Sequence, residues 1–495
     1  MRKLLPVALC ACLGLCVVLS VQAQQEPLSP PPASPETQQC LVCHDMATPG
    51  ITADWRWGRH AYTLVSEAMQ KPDMERRISA TELPDELRNF TVGCYECHSL
   101  NADAHSDNVD HFGLRINIIV SPRDCAVCHP VEAEQYGRSK LANAHGNLEK
   151  NEVFSLLVNT IDSMKKADNG RVSQVSASEQ TKSENCLACH GTNVQVESVE
   201  TRDTDFGEMA SPKLTYWPNH GVGRINPDGS MGACTACHPR HSFSIEIARQ
   251  PQTCGQCHLE PDVPAYNVYM ESKHGNIYSS RKQAWDFSAV PWKVGEDFNA
   301  PTCSACHSSL VTSADGTVIS ERTHDFSGRI WTRIFGVIYT YPASKSGDTS
   351  IIRNADGMPL PTTFTGLPAE EFLIGEQEQA RRLDQMKGVC GACHADSYVD
   401  GHFARLDNTI RETDEMTLNA TLLMVHAWDK GLADKENPFD EPIEIKWMSQ
   451  WLFYANSVRY ASAMSGPDFA GFKNGWWYLS KNLRDMEESM RLKKK

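Results

Sequence analysis

Apolar positions along the 495 residues fall into three textures. Behind Arg2 and Lys3, an apolar run covers 4–21 and closes on Val21-Gln22-Ala23. A charged head, a hydrophobic stretch and a small-residue site predict a cleaved export signal over 1–23, and with it a periplasmic or other extracytoplasmic compartment. Leu15 is too bulky for Cys16 to be a lipid-attachment site. Residues 24–39, rich in Pro and Ser, predict a flexible linker. Between 40 and 365 the apolar positions come in short groups broken by Pro and Gly, which predicts short helices, loops and little β structure. From 366 to 495 they recur at helical spacing in four stretches, 369–387, 402–430, 442–464 and 472–491. The chain is therefore predicted to be mainly α, with a long-helix C-terminal region. Its aromatics (Trp447, Trp451, Phe453, Tyr454, Trp476, Trp477 and Tyr478) either seal a subunit interface or fill an intramolecular core.

The cysteines change this picture. Sixteen of the 19 lie outside the export signal, and all sixteen belong to eight copies of Cys-x-x-Cys-His. The copies are Cys40, Cys43 and His44; Cys94, Cys97 and His98; Cys125, Cys128 and His129; and Cys186, Cys189 and His190. The other four are Cys234, Cys237 and His238; Cys254, Cys257 and His258; Cys303, Cys306 and His307; and Cys390, Cys393 and His394. This is the attachment signature of a c-type haem, in which two thiols form thioethers and the adjacent histidine is the proximal iron ligand. A zinc ribbon does not require that histidine, and a disulfide framework has no reason to place one after every pair. Eight covalently attached haems over 472 mature residues leave about 59 residues each, too few for an ordinary apolar core around every cofactor. The haems must supply much of the core, and residues 40–365 carry seven of them.

Successive motifs begin 54, 31, 61, 48, 20, 49 and 87 residues apart, which argues against a tandem array of one module. The 20-residue step brings the fifth and sixth haems together. A net charge of −15 argues against a nucleic-acid partner and would suit a basic redox protein.

Ten of the 18 histidines lie outside the motifs. His60, His111, His145, His241, His274, His324 and His402 sit beside small or turn residues or at helix starts, where a second iron ligand is expected. His105 lies in a polar loop and is expected at the surface, and His426 is expected to pack in a helical core. His220 lies in a glycine-rich turn thirty residues after His190, and is either an eighth distal ligand or a proton-handling group beside an open iron. The count alone permits both.

The run 217–230 (Trp-Pro-Asn-His-Gly-Val-Gly-Arg-Ile-Asn-Pro-Asp-Gly-Ser), leading into the fifth motif and Arg240-His241-Ser242-Phe243-Ser244, resembles the hydroxylamine oxidoreductase family. So do Asp110-His111-Phe112-Gly113, Ile119-Val120-Ser121-Pro122 and Ser272-Lys273-His274-Gly275-Asn276. The resemblance implies a mostly helical octahaem subunit, a homotrimer or larger, acting on a small inorganic nitrogen compound. It also implies a five-coordinate catalytic fourth haem at His190, with the other seven bis-His, and a redox partner such as a cytochrome c or a quinol-linked cytochrome.

Two departures stand out. Oxidative members carry an Asp-His pair where this chain has Asn219-His220, so base catalysis would rest on His220 alone. They also cross-link a C-terminal tyrosine to the catalytic haem, whereas the corresponding stretch here carries Phe469 and Phe472, with Tyr460 and Tyr478 flanking it. The second departure resembles the reductive branch and favours reduction of nitrite, nitric oxide or hydroxylamine over oxidation of hydroxylamine or nitric oxide. A pure electron conduit is the alternative of another class. Arg224 is a candidate anion contact, and Tyr339 and Tyr341 are candidate hydrogen-bond donors to substrate.

Overall fold

The computed structural model describes residues 31–493. The export signal over 1–23 and the first part of the linker lie outside the described residues. The linker expectation fails at its end. A helix runs over Pro35–Ala47, capped by Ser34, whose hydroxyl accepts from the Thr37 N–H at 3.1 Å. Its fully buried Thr37 donates to Glu96 beside the second motif, so this segment is docked on that motif.

Three motifs fold as a single helical turn of their own, Cys94–His98, Cys186–His190 and Cys303–His307. The reason is local. One turn puts the two thiols, three residues apart, on one face and the histidine directly above the first cysteine. The closing bonds run from His129 N to Cys125 O at 2.8 Å, and likewise at His238, His258 and His394 at 2.9–3.0 Å.

The C-terminal helices follow the predicted pattern: Glu376–Gly391, Asp396–Asp429, Pro442–Ser449, Asn456–Met464 and Trp476–Lys493. A π turn over Gln450–Ala455 joins the third to the fourth. Along the 34-residue helix the buried positions (Val399, Phe403, Leu406, then Thr413, Thr417, Ala420, Thr421, Met424 and Ala427) repeat every three or four residues. Trp428, Trp447, Trp451 and Phe439 meet in the main apolar core, so Trp447 and Trp451 seal an interior rather than an interface. Trp447 donates to Thr421 Oγ1 at 2.9 Å and Trp428 to Glu444 at 2.8 Å, which satisfies both indoles. Trp477 and Phe472 remain exposed. His426, expected in this core, is exposed instead, because it falls outside the buried stripe of its helix.

The β structure is a set of small antiparallel hairpins and one three-stranded sheet. Asn169 and Gly170, both at positive φ, turn Met164–Asp168 back onto Arg171–Val175. The longest hairpin pairs Val196–Thr204 with Gly207–Leu214, and its strands are largely exposed. Among the described residues no helix is long and apolar enough to cross a membrane.

Candidate functional site

Four motif histidines face a histidine from elsewhere in the chain. Ring centres are 6.1 Å apart for His44–His111, 6.4 Å for His129–His60, 6.4 Å for His238–His324 and 6.0 Å for His394–His274. An iron held between two imidazoles needs about 6 Å, from two bonds of about 2 Å plus roughly 1 Å to each ring centre. The residues present fit the group. Burial pushes His60, His238, His258, His307 and His324 down to about 4, which leaves the neutral imidazole that binds iron. His324 Nδ1 is buried with no hydrogen-bond partner. The Nδ1 atoms of His98 and His145 bond the Asn117 and Gly191 carbonyls, each at 2.7 Å, which fixes the tautomer and leaves Nε2 as the ligand atom. His241 is half-buried beside His98, and His402 lies near His274 and His394.

A continuous cavity of about 1220 Å³ runs past cysteines of the second to eighth motifs. Buried cations line it. Burial lowers Arg77 to about 10 and Arg249 to about 9, and carries Lys140 well below its usual range, as suits partners for haem carboxylates. Thiols of different motifs are close neighbours at Cys40–Cys94, Cys125–Cys234, Cys254–Cys303 and Cys189–Cys257. Electrostatic neighbours continue the series at Cys97–Cys128, Cys237–Cys254 and Cys306–Cys390. In space the motifs therefore run one, two, three, five, six, seven, eight, and the fourth branches off at the sixth.

The loop carrying His220 is locked onto the fourth motif. Asn219 Oδ1 accepts from the N–H groups of Thr192 and Gly221 at 3.3 and 3.0 Å, and its Nδ2 donates to the Leu187 carbonyl at 3.0 Å. A carboxylate could accept both bonds but could not make the donation. Asn219 is thus a clamp, spent in full on backbone. The glycines of the turn serve backbone against backbone: a Cβ on Gly221 would lie 2.2 Å from Gly191 N, and one on Gly191 2.2 Å from Arg224 N.

Beyond this clamp His220 opens into the cavity beside Cys189. Partial burial, then the charges of Arg240 and Arg224, lower its pKa. Arg240 Nη2 donates to His220 Nδ1 at 3.1 Å. Both guanidiniums lie on the Trp217 ring, 5.3 Å from its centre for Arg224 and 5.2 Å for Arg240. Arg224 is 1 % exposed, and its donors go to Asn226 Oδ1 (2.7 Å), Asn219 O (2.9 Å) and Val120 O (3.5 Å), so it braces the loop.

Of the two candidate tyrosines, Tyr339 lies away from the cavity, whereas Tyr341 neighbours Tyr460. Tyr339 is buried in the C-terminal core, its hydroxyl donating to Phe364 O at 2.8 Å, and Tyr341 pairs with Arg333 in a short hairpin. Phe469 is fully buried within its own subunit, and Tyr460 lines the cavity.

Two groups escaped the sequence reading. Arg240 was visible only as a residue following a motif. His105, expected at the surface, is fully buried, its Nδ1 3.1 Å from Asp107 and its Nε2 3.2 Å from Asp124 and 3.8 Å from Asp228. Burial works against its charge, but the bonds and charges of Asp107 and Asp124 prevail and raise it to about 9. A polar loop can be interior when its carboxylates converge on one cation.

Known proteins share these features. Residues 228–321 match a family described as "Seven times multi-haem cytochrome CxxCH", and 124–211 match "Cytochrome c554 and c-prime". A "Probable nitrite reductase-hydroxylamine oxidoreductase fusion protein" of Kuenenia stuttgartiensis is 26 % identical over 289 residues, 54 % of this chain and 25 % of that protein. The match thus spans about a quarter of that relative's length. The "reducing HAO-like protein complex Kustc0457/Kustc0458" of Kuenenia stuttgartiensis has a similar fold, with a TM-score of 0.54 at 18 % identity over 93 % of this chain and 85 % of that one. A solved structure described as "Hypothetical multiheme protein" gives a TM-score of 0.87 at 42 % identity, over 93 % of this chain and 96 % of that chain. With that likeness along nearly its whole length, and with histidines paired at the spacing of a bis-imidazole iron, the chain belongs to the multihaem cytochromes c, which bind haem covalently.

Proposed function

We propose that the chain is an extracytoplasmic octahaem oxidoreductase of small nitrogen compounds, in which seven haems are bis-His and the fourth, at His190, is five-coordinate and catalytic. The observation that carries this reading is the loop fastened to the fourth motif, which sets His220 at the cavity wall with Arg240 hydrogen-bonded behind it. His220 bonds a guanidinium rather than a backbone carbonyl, unlike His98 and His145. It is in reserve for proton transfer and is not the eighth distal ligand. The kinship with a nitrite reductase–hydroxylamine oxidoreductase fusion supports the nitrogen substrate class. When bound, the haem at His190 supplies an open coordination position and exchanges electrons.

The residues of this chain do the rest. His220, with its pKa lowered, is neutral near neutral pH and takes up a proton before handing it on. The positive charge at Trp217 favours an anion such as nitrite, and Asn219 holds the loop without carrying a proton. Phe469, which has no oxygen and is buried in its own subunit, leaves no aryl ether at that position. The reductive direction follows, with electrons from a cytochrome c or a quinol-linked cytochrome, in a homotrimer or larger assembly.

Four measurements test this. The denatured subunit mass should account for eight haems and a single chain. Reduced dye with nitrite should turn over faster than oxidised cytochrome with hydroxylamine. Eight low-spin haems, with no high-spin signal and no nitrite binding, would identify a conduit and sink the proposal. In His220→Ala, turnover should fall with the spectrum unchanged, whereas a new high-spin haem would make His220 a ligand.

A further inference from the structure

We infer that Arg240, rather than Arg224, is the residue that grips an anionic substrate, and that the same guanidinium orients His220 toward it. The inference rests on the reading of the fourth motif as the substrate site.

Two guanidiniums share the Trp217 ring, at 5.2 and 5.3 Å, and among the described residues neither lies within ion-pair distance of a carboxylate. Their environments differ. Arg224 is sealed in, and neutral oxygens of the loop take its hydrogen bonds. Arg240 is only half-buried, and its one side-chain partner is His220, which lines the cavity next to Cys189. Of the two charges, only that of Arg240 still has donors to offer a ligand. A guanidinium placed over an indole does not spend its N–H groups on the ring, and these match the two oxygens of a small planar anion. Arg240 Nη2 lies 3.1 Å from His220 Nδ1 and 3.5 Å from its Nε2, so the guanidinium is set against the imidazole itself. Anion and proton carrier are thereby held by one side chain.

The competing source of the same chemistry is a haem carboxylate, because Arg240 follows the fifth motif by two residues. The test is optical titration of the ferric holoprotein with nitrite and with uncharged hydroxylamine, in wild type, Arg240→Gln and Arg240→Lys, with haem content by mass. We expect nitrite affinity to fall at least tenfold in Arg240→Gln and by a smaller factor in Arg240→Lys, which keeps the charge but loses the planar fork. Hydroxylamine affinity and haem content should stay within about twofold. In turnover the loss should appear in KM for nitrite before it appears in kcat. Equal nitrite binding by all three proteins overturns the inference and leaves the proposed function standing. A matching loss for both ligands, or loss of haem, also overturns it and assigns Arg240 to a haem carboxylate. A wild type whose spectrum responds to neither ligand overturns this inference and the proposed function together.

Discussion

Residues 396–493 and residues 40–365 are held together by different means. The C-terminal helices hide Trp428, Trp447, Trp451 and Phe439 from water, satisfy the indoles of Trp428 and Trp447 through Glu444 and Thr421 while that of Trp451 has no partner, and lay their apolar residues on one stripe. The motif region has short helices, small hairpins, and a cavity of about 1220 Å³ where a side-chain core would otherwise be. Its apolar clusters are smaller, one around Tyr278, Phe287 and Trp292 and another around Val65 and Ile78, and to these it adds polar contacts: capped turns, a clamp of amide against carbonyl, a buried imidazole among carboxylates. One region is organised by the sequence itself, and the other by what becomes bonded to its thiols.

The largest effect should come from denying the chain its cofactor. Produced without haem attachment, it should lose ordered structure over 40–365, as small metal-dependent domains do. Limited proteolysis should then leave a resistant fragment close to 396–493, and even cutting throughout would break the comparison. Trp447→Ala attacks the other region. It should cost about 3–5 kcal/mol in urea denaturation followed by circular dichroism, with the haem spectrum unmoved.

His105 probes the polar contacts of the motif region. Its pKa is raised on folding, from 6.5 to about 9. Its stabilisation is therefore full below pH 6.5 and is lost as pH rises through about 9, with an upper bound of about 3 kcal/mol. His105→Gln should lack that alkaline decline, and parallel curves for the two proteins would disprove it. Asn219→Asp should cost about 1–3 kcal/mol, since it turns a carboxylate on the Leu187 carbonyl in place of a donor. Smallest of all is Phe472→Ser, at a side chain 72 % exposed. It should change subunit stability by under about 0.5 kcal/mol, and a drop in assembled mass would mark this face as a subunit contact.

The same contrast governs what the sequence could disclose. Helices whose burial repeats every three or four residues were legible to within a few residues, as Asp396–Asp429 against 402–430 shows. The motifs were legible because their chemistry is complete within five residues. Opposed histidines such as His129 and His60, or His238 and His324, meet through the tertiary fold, and only their candidacy could be read in advance. His105 and His426 exchanged their expected places, because burial there depends on partners and helix phase that a local window does not contain. The turn at Asn169-Gly170 was a hairpin signal already present in the chain. The helix from Pro35 was masked by a proline-rich composition that also suits a first helical turn.

Gly191, Gly221 and Gly223 lie so close to neighbouring backbone that a methyl group on any of them would collide with main-chain atoms 2.2–2.6 Å away. Three chain segments, at 144–145, 189–192 and 219–224, therefore behave there as one solid. A site built on such a solid has little to rearrange at each encounter, so the entropic cost of assembling it is met once, during folding. It is also hard to remodel. New substrate preferences in this lineage are expected to arise by exchange of the side chains that stand on the interlock, as His220 does, while the glycines beneath them stay fixed.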